Sequence, residues 1–206
     1  MTLKEIFVLN RALDGKDVYS LPPFKELHMS EVLSDAVKDS LIEHGLLESY
    51  DEFTMDGIRI TKRILDFKNA PKYVHIDDMV IGLLDDNLGI MLQKDYFDET
   101  YNFTLIDVSD STSQILKSYD FLREKYPEQP LEEVQFDYDS LAENFEIEDT
   151  NSMRIVTLNS ANKREKTDEI IFSSDNQLYL YDYAKKMLYS KNPNEITEVL
   201  RERMAV

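Results

Sequence analysis

From Val74 onward the apolar positions fall into a strand, a hairpin, a strand and a capped helix, and after Pro130 a similar order returns. The first passage holds Met79–Leu84 and Leu88–Leu92, then Tyr101–Ile106, a polar joint at Asp107–Ser113 and a helix from Gln114. The second holds Met153–Leu158, Ile170–Phe172, Leu178–Tyr183 and Met187–Tyr189, a polar joint at Ser190–Asn194 and a helix to Met204. A helical stretch precedes each passage. Period-two alternation marks the strands, and spacing near 3.6 marks the helices. The expectation is an α+β fold of two quasi-symmetric halves sharing a central sheet. Each half has helices, antiparallel strands and a following helix. The halves are residues 1–127 and 128–206, parting at Pro127–Pro130 within one compact unit.

The N-terminal quarter reads as helices joined by stops. Glu5–Leu13 is a short apolar-rich helix ended by Asp14-Gly15, and the prolines of Leu21-Pro22-Pro23-Phe24 stiffen the next loop. Ser30 caps a helix with Val32, Leu33, Ala36, Val37, Ser40, Leu41 and His44 on one face, and Gly45 stops it. Thr54 caps the next helix, whose inner stripe is read as Ile58, Thr61, Ile64 and Leu65 and whose end is Pro71. Leu84–Gly89 is a hairpin turn between two apolar runs. Leu131–Phe145 is weakly helical and acidic, and Asn159–Asp168 reads as an exposed polar loop.

Composition narrows the function more than the fold. The 206 residues include 41 Asp+Glu against 23 Lys+Arg, a formal charge of −18, and no cysteine. Disulfides, thiolate metal sites and thiol nucleophiles are thereby excluded. A field of this sign repels phosphate backbones and anionic membrane surfaces, and it favours basic or weakly charged partners. No apolar run approaches the roughly 18 residues of a membrane span. The first thirteen residues are too polar and acidic for a signal peptide, so a cytoplasmic location is expected.

Each candidate constellation carries a plainer alternative. The order helix, Gly-Leu-Leu, Thr-x-x-Gly, helix across Ser30–Lys68 is shared with winged-helix domains. Arg59, Lys62, Arg63, Lys68 and Lys72 form a basic patch later on, but Glu31, Asp35, Asp39 and Glu43 would repel DNA from the preceding helix. Asp107-Val108-Ser109-Asp110-Ser111 has the D-x-S-x-S form of a metal-adhesion motif. The same residues read as a strand exit and helix cap, with Ser111 or Thr112 as the cap. His28, His44 and His75 have no metal-ligand spacing, and no phosphate loop, dinucleotide loop or nucleophile elbow occurs. The expectation is a protein that is not an enzyme and uses neither cofactor nor metal.

The strongest binding candidate is a row of tyrosines. Tyr179, Tyr181 and Tyr183 share one face of a strand, with Leu178 and Leu180 packing on the other. Facing outward with the adaptable Met187, they would form a partner-binding surface. If the sheet is covered on both faces, the row is core.

The N-terminal order resembles that of the EspG-like and EsaE-like cytosolic substrate chaperones of type VII (ESX) secretion systems. The residues that carry this are Ile6–Leu9 and Leu13, the Leu21–Phe24 proline loop, the helix ending Leu41-Ile42-Glu43-His44-Gly45-Leu46-Leu47, and Phe53–Gly57. The strand-hairpin-strand-helix passage over Tyr73–Tyr126 extends the resemblance to about two thirds of the chain. It implies two quasi-symmetric α/β halves and a chaperone that holds a helical secretion substrate before export. The resulting expectation is a non-catalytic protein-binding factor with a protein partner, no nucleic acid and no membrane insertion. The alternatives are an acidic winged-helix-like regulator, or an immunity protein that neutralises a basic toxin by charge complementarity.

Overall fold

Short polar side chains decide where the helices begin. Thr2, Ser30, Thr54, Asp107, Asp137 and Asn192 each stand one residue before a helix and accept a hydrogen bond from an amide of its first turn. Thr2 and Asn192 complete capping boxes with Glu5 and Glu195. The computed structural model describes residues 1–127, 133–159 and 164–205.

The chain opens with α1 (Leu3–Arg11), α2 (Glu31–Glu43), the two-stranded ribbon β1 (Leu47–Ser49) and β2 (Glu52–Phe53), and α3 (Met55–Lys68). Four strands follow, β3 (Lys72–Ile76), β4 (Met79–Leu83), β5 (Leu88–Asp95) and β6 (Thr100–Asp107), and then α4 (Val108–Ser118). The remainder comprises β7 (Glu133–Gln135), α5 (Tyr138–Asn144), β8 (Ser152–Asn159), β9 (Arg164–Ser174), β10 (Gln177–Asp182), β11 (Met187–Lys191) and α6 (Pro193–Arg203).

Nine strands form one antiparallel sheet in the order β6-β5-β4-β3-β8-β9-β10-β11-β7. Each half contributes a four-stranded meander and a capped helix, and the meanders run outward in opposite directions from the β3–β8 seam. This is the α+β arrangement of two halves on one sheet. The strands of the meanders turn successive side chains to opposite faces of the sheet. On one face, Val74, Ile81, Ile155, Ile171 and Leu180 pack with Ile115 of α4 and Ile196 and Leu200 of α6. On the other, α1–α3 cover Tyr73, Val80, Ile90, Leu92 and Phe103, whereas Leu141 of α5 and Phe136 and Phe145 around it cover Ile170, Phe172, Tyr181 and Leu188.

Several expectations are corrected. The α4 helix starts at Val108 and not at Gln114, because Asp107 is the cap: its Oδ1 accepts from Asp110 N at 2.9 Å. Ser111 and Thr112 lie inside that helix, and Thr112 Oγ1 donates to Val108 O at 2.7 Å. The acidic stretch before the second meander holds β7 as well as α5, while Leu131 lies outside the described residues, as does Pro130. The loop read at Asn159–Asp168 is replaced from Arg164 by β9, although Lys163 lies outside the described residues. On α3 the buried side is Gly57, Ile64 and Phe67, and Ile58 faces solvent. Val32 is likewise outward on α2, at 81% exposure.

Candidate functional site

The two covers on the second sheet face leave the seam between them partly open. In the register, Tyr73 stands opposite Leu158 and His75 opposite Val156. Directly opposed residues share a face, so His75, Val156 and Leu158 form a floor between the α1–α3 layer and the α5 layer, with Tyr73 buried beside them under the first layer. A cavity of about 250 Å3 lies over His75, Asp77, Arg154, Val156 and Leu158. A second, of about 420 Å3, lies over Tyr73, Leu158 and Asn159, walled by the Asp14–Tyr19 loop and Lys68-Asn69. Leu158 lines both, so the two cavities adjoin there and together make up the seam cleft.

The polar groups of the cleft are held by one another. Tyr19 Oη lies 2.7 Å from His75 Nε2, with its ring 4.2 Å from that of Tyr73. Burial lowers the His75 pKa below its ordinary value of 6.5, so the imidazole is neutral at pH 7. Burial, and then the nearby Tyr19, push the Tyr73 phenol up to about 12. Its hydroxyl donates to Phe67 O at 2.7 Å. Lys68 Nζ donates to Asn10 Oδ1 at 2.7 Å and is paired with Asp14. At the other end, Arg154 forks onto Asp168, Nε to Oδ1 at 2.8 Å and one terminal nitrogen to Oδ2 at 2.5 Å. The Arg154 backbone N–H donates to Asp77 Oδ1 at 2.8 Å, and Tyr119 Oη donates to Asp77 Oδ2 at 2.5 Å. Burial and that bond raise the Tyr119 pKa.

Such a floor can hold a bound group by contact and by hydrogen bonds. It offers apolar and aromatic area, a neutral imidazole and satisfied ion pairs. Among the described residues, no group of three or more His, Asp or Glu side chains could hold a metal ion. No helix described is long and apolar enough to cross a membrane.

The tyrosine row lies elsewhere. Tyr179, Tyr181 and Tyr183 do share a face, but that face is covered. Tyr181 is 1% exposed and donates to Phe136 O at 3.0 Å. The Tyr179 ring stacks on Phe172 at 5.3 Å and meets Phe145 edge-on at 5.1 Å, while Tyr183 lies edge-on to Tyr181 at 5.0 Å. Met187 pairs with Asp182, whereas Leu188 pairs with Tyr181. Alternation therefore puts Met187 on the opposite face, and the four residues do not converge. Only Tyr183 approaches the cleft, beneath the Arg154 guanidinium at 5.4 Å.

The basic patch is also spoken for. Arg59 pairs with Asp56 and Lys62 with Asp66, Arg63 donates to Phe103 O at 3.2 Å, and Lys72 bonds Ala205 O. Sequence reading missed Tyr19 and Arg154, and it weighed His75 only as a metal ligand. The available signal was a polar residue on an otherwise apolar strand, His75 between Val74 and Ile76 and Arg154 between Met153 and Ile155. Both strands belong to the seam.

No curated protein matches this chain. A family model spans it from end to end, over residues 1–206, and on that match the chain belongs to the family described as Domain of unknown function (DUF5081).

Proposed function

We propose that this protein is a non-catalytic binding factor that holds a segment of a protein partner in the seam cleft, and that the partner is a helical type VII secretion substrate kept in the cytoplasm until export. The observation that carries the binding reading is the cleft itself. Its floor of His75, Val156 and Leu158 lies between two covering layers, with its charged neighbours already paired. A bound apolar helix face would gain area there without breaking an ion pair. The nature of the partner rests on the resemblance of Ile6–Gly57 and Tyr73–Tyr126 to EspG-like and EsaE-like chaperones.

The test is a photo-crosslinking residue at position 156 in the native host, with position 134 on the distal strand β7 as control. A secreted helical protein crosslinked from 156 and not from 134 is the expected result. Val156→Glu should abolish capture with little change in melting temperature. Recovery of nucleic acid or metabolites alone would overturn the reading. The charge of −18 supports one rival, an immunity protein for a basic toxin. That rival requires survival of cells co-expressing the two.

A further inference from the structure

The sheet has two edges, and they are treated differently. At one end β7 is three residues long and exposed, a short edge that offers little to pair with. At the other end β6 is eight residues long and pairs with β5 without a bulge. From Thr100 to Ile106 it has no charged residue, no proline and no glycine, in a chain of net charge −18. Within the strand itself, charge, proline and bulge are absent as blunting devices over Thr100–Ile106.

Two contacts cover part of this edge. Tyr101 exchanges both backbone hydrogen bonds with Met1, N to O at 2.6 Å and the reverse at 3.0 Å. Hence Tyr101 points its backbone groups outward, and by alternation so do Phe103 and Leu105. Phe103 O accepts from Arg63 at 3.2 Å. The outward N–H and C=O of Leu105 bond to nothing among the described residues. Its side chain is 49% exposed, and the equally outward Leu88 is its diagonal neighbour on the same face.

We propose that β6 pairs with β6 of a second copy of this chain, antiparallel and about a twofold axis through Leu105. On that axis Leu105 exchanges both backbone bonds with its counterpart. The N–H of each Asp107 then donates to the free lone pair of the other copy's Phe103 carbonyl. Met1 at Tyr101 ends the ladder, so Phe103–Asp107 is the whole pairing segment. The self-complementary segment is what selects a second copy. Its centre is uncharged, so no like charges meet there, and the two Leu105 side chains bury one another. The Asp107 carboxylates fall at opposite ends, each turned to the Asp110 N–H of its own helix. The sheet would become continuous across both molecules, and the interface isologous.

Sedimentation velocity of the full chain tests this. The expected result is a monomer–dimer equilibrium at about 100 μM that strengthens as salt screens the repulsion between two acidic molecules. Leu105→Lys sets two like charges on the axis and should weaken the dimer at least about tenfold. Leu105→Pro removes an N–H that faces outward, so the β5–β6 ladder is kept while the new one is lost. Circular dichroism and melting temperature establish that both variants are folded. A wild-type chain that stays monomeric in high salt overturns the proposal, including the case in which another protein's strand takes this edge. A dimer indifferent to both substitutions does so as well.

Discussion

Tyr181 shows how a single residue changes meaning once its cover is known. The ring is sealed beneath Phe136 and Leu141, and its hydroxyl satisfies the Phe136 carbonyl. Tyr181→Ala should therefore cost about 3–4 kcal/mol in chemical denaturation, in line with loss of a buried aromatic ring. Tyr181→Phe removes only the hydrogen bond and should cost about 1 kcal/mol. A second residue-scale prediction concerns acid. Burial opposes ionisation of Glu5, but the Thr2 N–H, the Ser40 hydroxyl and His44 outweigh it, so its pKa lies below the ordinary 4.5. That stabilisation is complete above the unfolded value and is lost as pH falls through the folded one. His75 acts in the same direction higher up: its folded pKa lies below 6.5, so unfolded chains bind more protons and stability falls as pH drops from 6.5. Melting temperature against pH should decline in two stages, and His75→Phe should remove the upper stage alone.

Among the elements, the β1–β2 ribbon and α3 are joined by a close approach that only glycine allows. A Cβ on Gly57 would stand 1.9 Å from Leu46 O and 3.2 Å from the Phe53 ring. Gly57→Ala should push the ribbon off the helix start and cost about 1–3 kcal/mol, measured by denaturant unfolding. Whether an element was legible in the sequence depended on what set its boundaries. The helices of the first quarter were read close to their observed spans because Ser30, Thr54 and Gly45 act within a single turn. The start of α4 was not, because its first turn, Val108–Ser111, is largely polar, and the cap lay on the last strand residue, Asp107. The N-terminal part of β9 was masked by charge: Arg164, Glu165 and Asp168 are strand residues by their pairing with Asn159, Leu158 and Val156, not by hydrophobicity. The cleft was invisible for another reason. Tyr19 and His75 are 56 positions apart, and Asp77 and Arg154 are 77 apart, so only the seam register brings them together.

At the scale of the molecule, the β3–β8 ladder is, among the described residues, the sole sheet pairing between the two meanders. Val74 and Ile76 on β3 are fully buried, as are Met153 and Ile155 on β8. Residues 1–127 expressed alone would expose the β3 edge with its apolar row, and should be recovered as aggregate or self-associated material. Light scattering of that fragment against the full chain checks this. Independent folding of the fragment as a stable monomer would mean that the first meander does not need its neighbour.

The same ladder bears on how the protein is made. Strands within each meander can pair soon after they emerge, since each hairpin closes over a few residues. The seam cannot, because Lys72 must wait for Asn159. At about 5–20 residues per second, the roughly 90 intervening residues keep β3 without its partner for about 5–20 s on the ribosome. Closure of a contact so distant in the chain is also intrinsically slow. During that interval a nascent chain presents an apolar strand edge to its surroundings, so yield in cells should respond more to synthesis rate and ribosome-associated chaperones than to the stability of the finished fold.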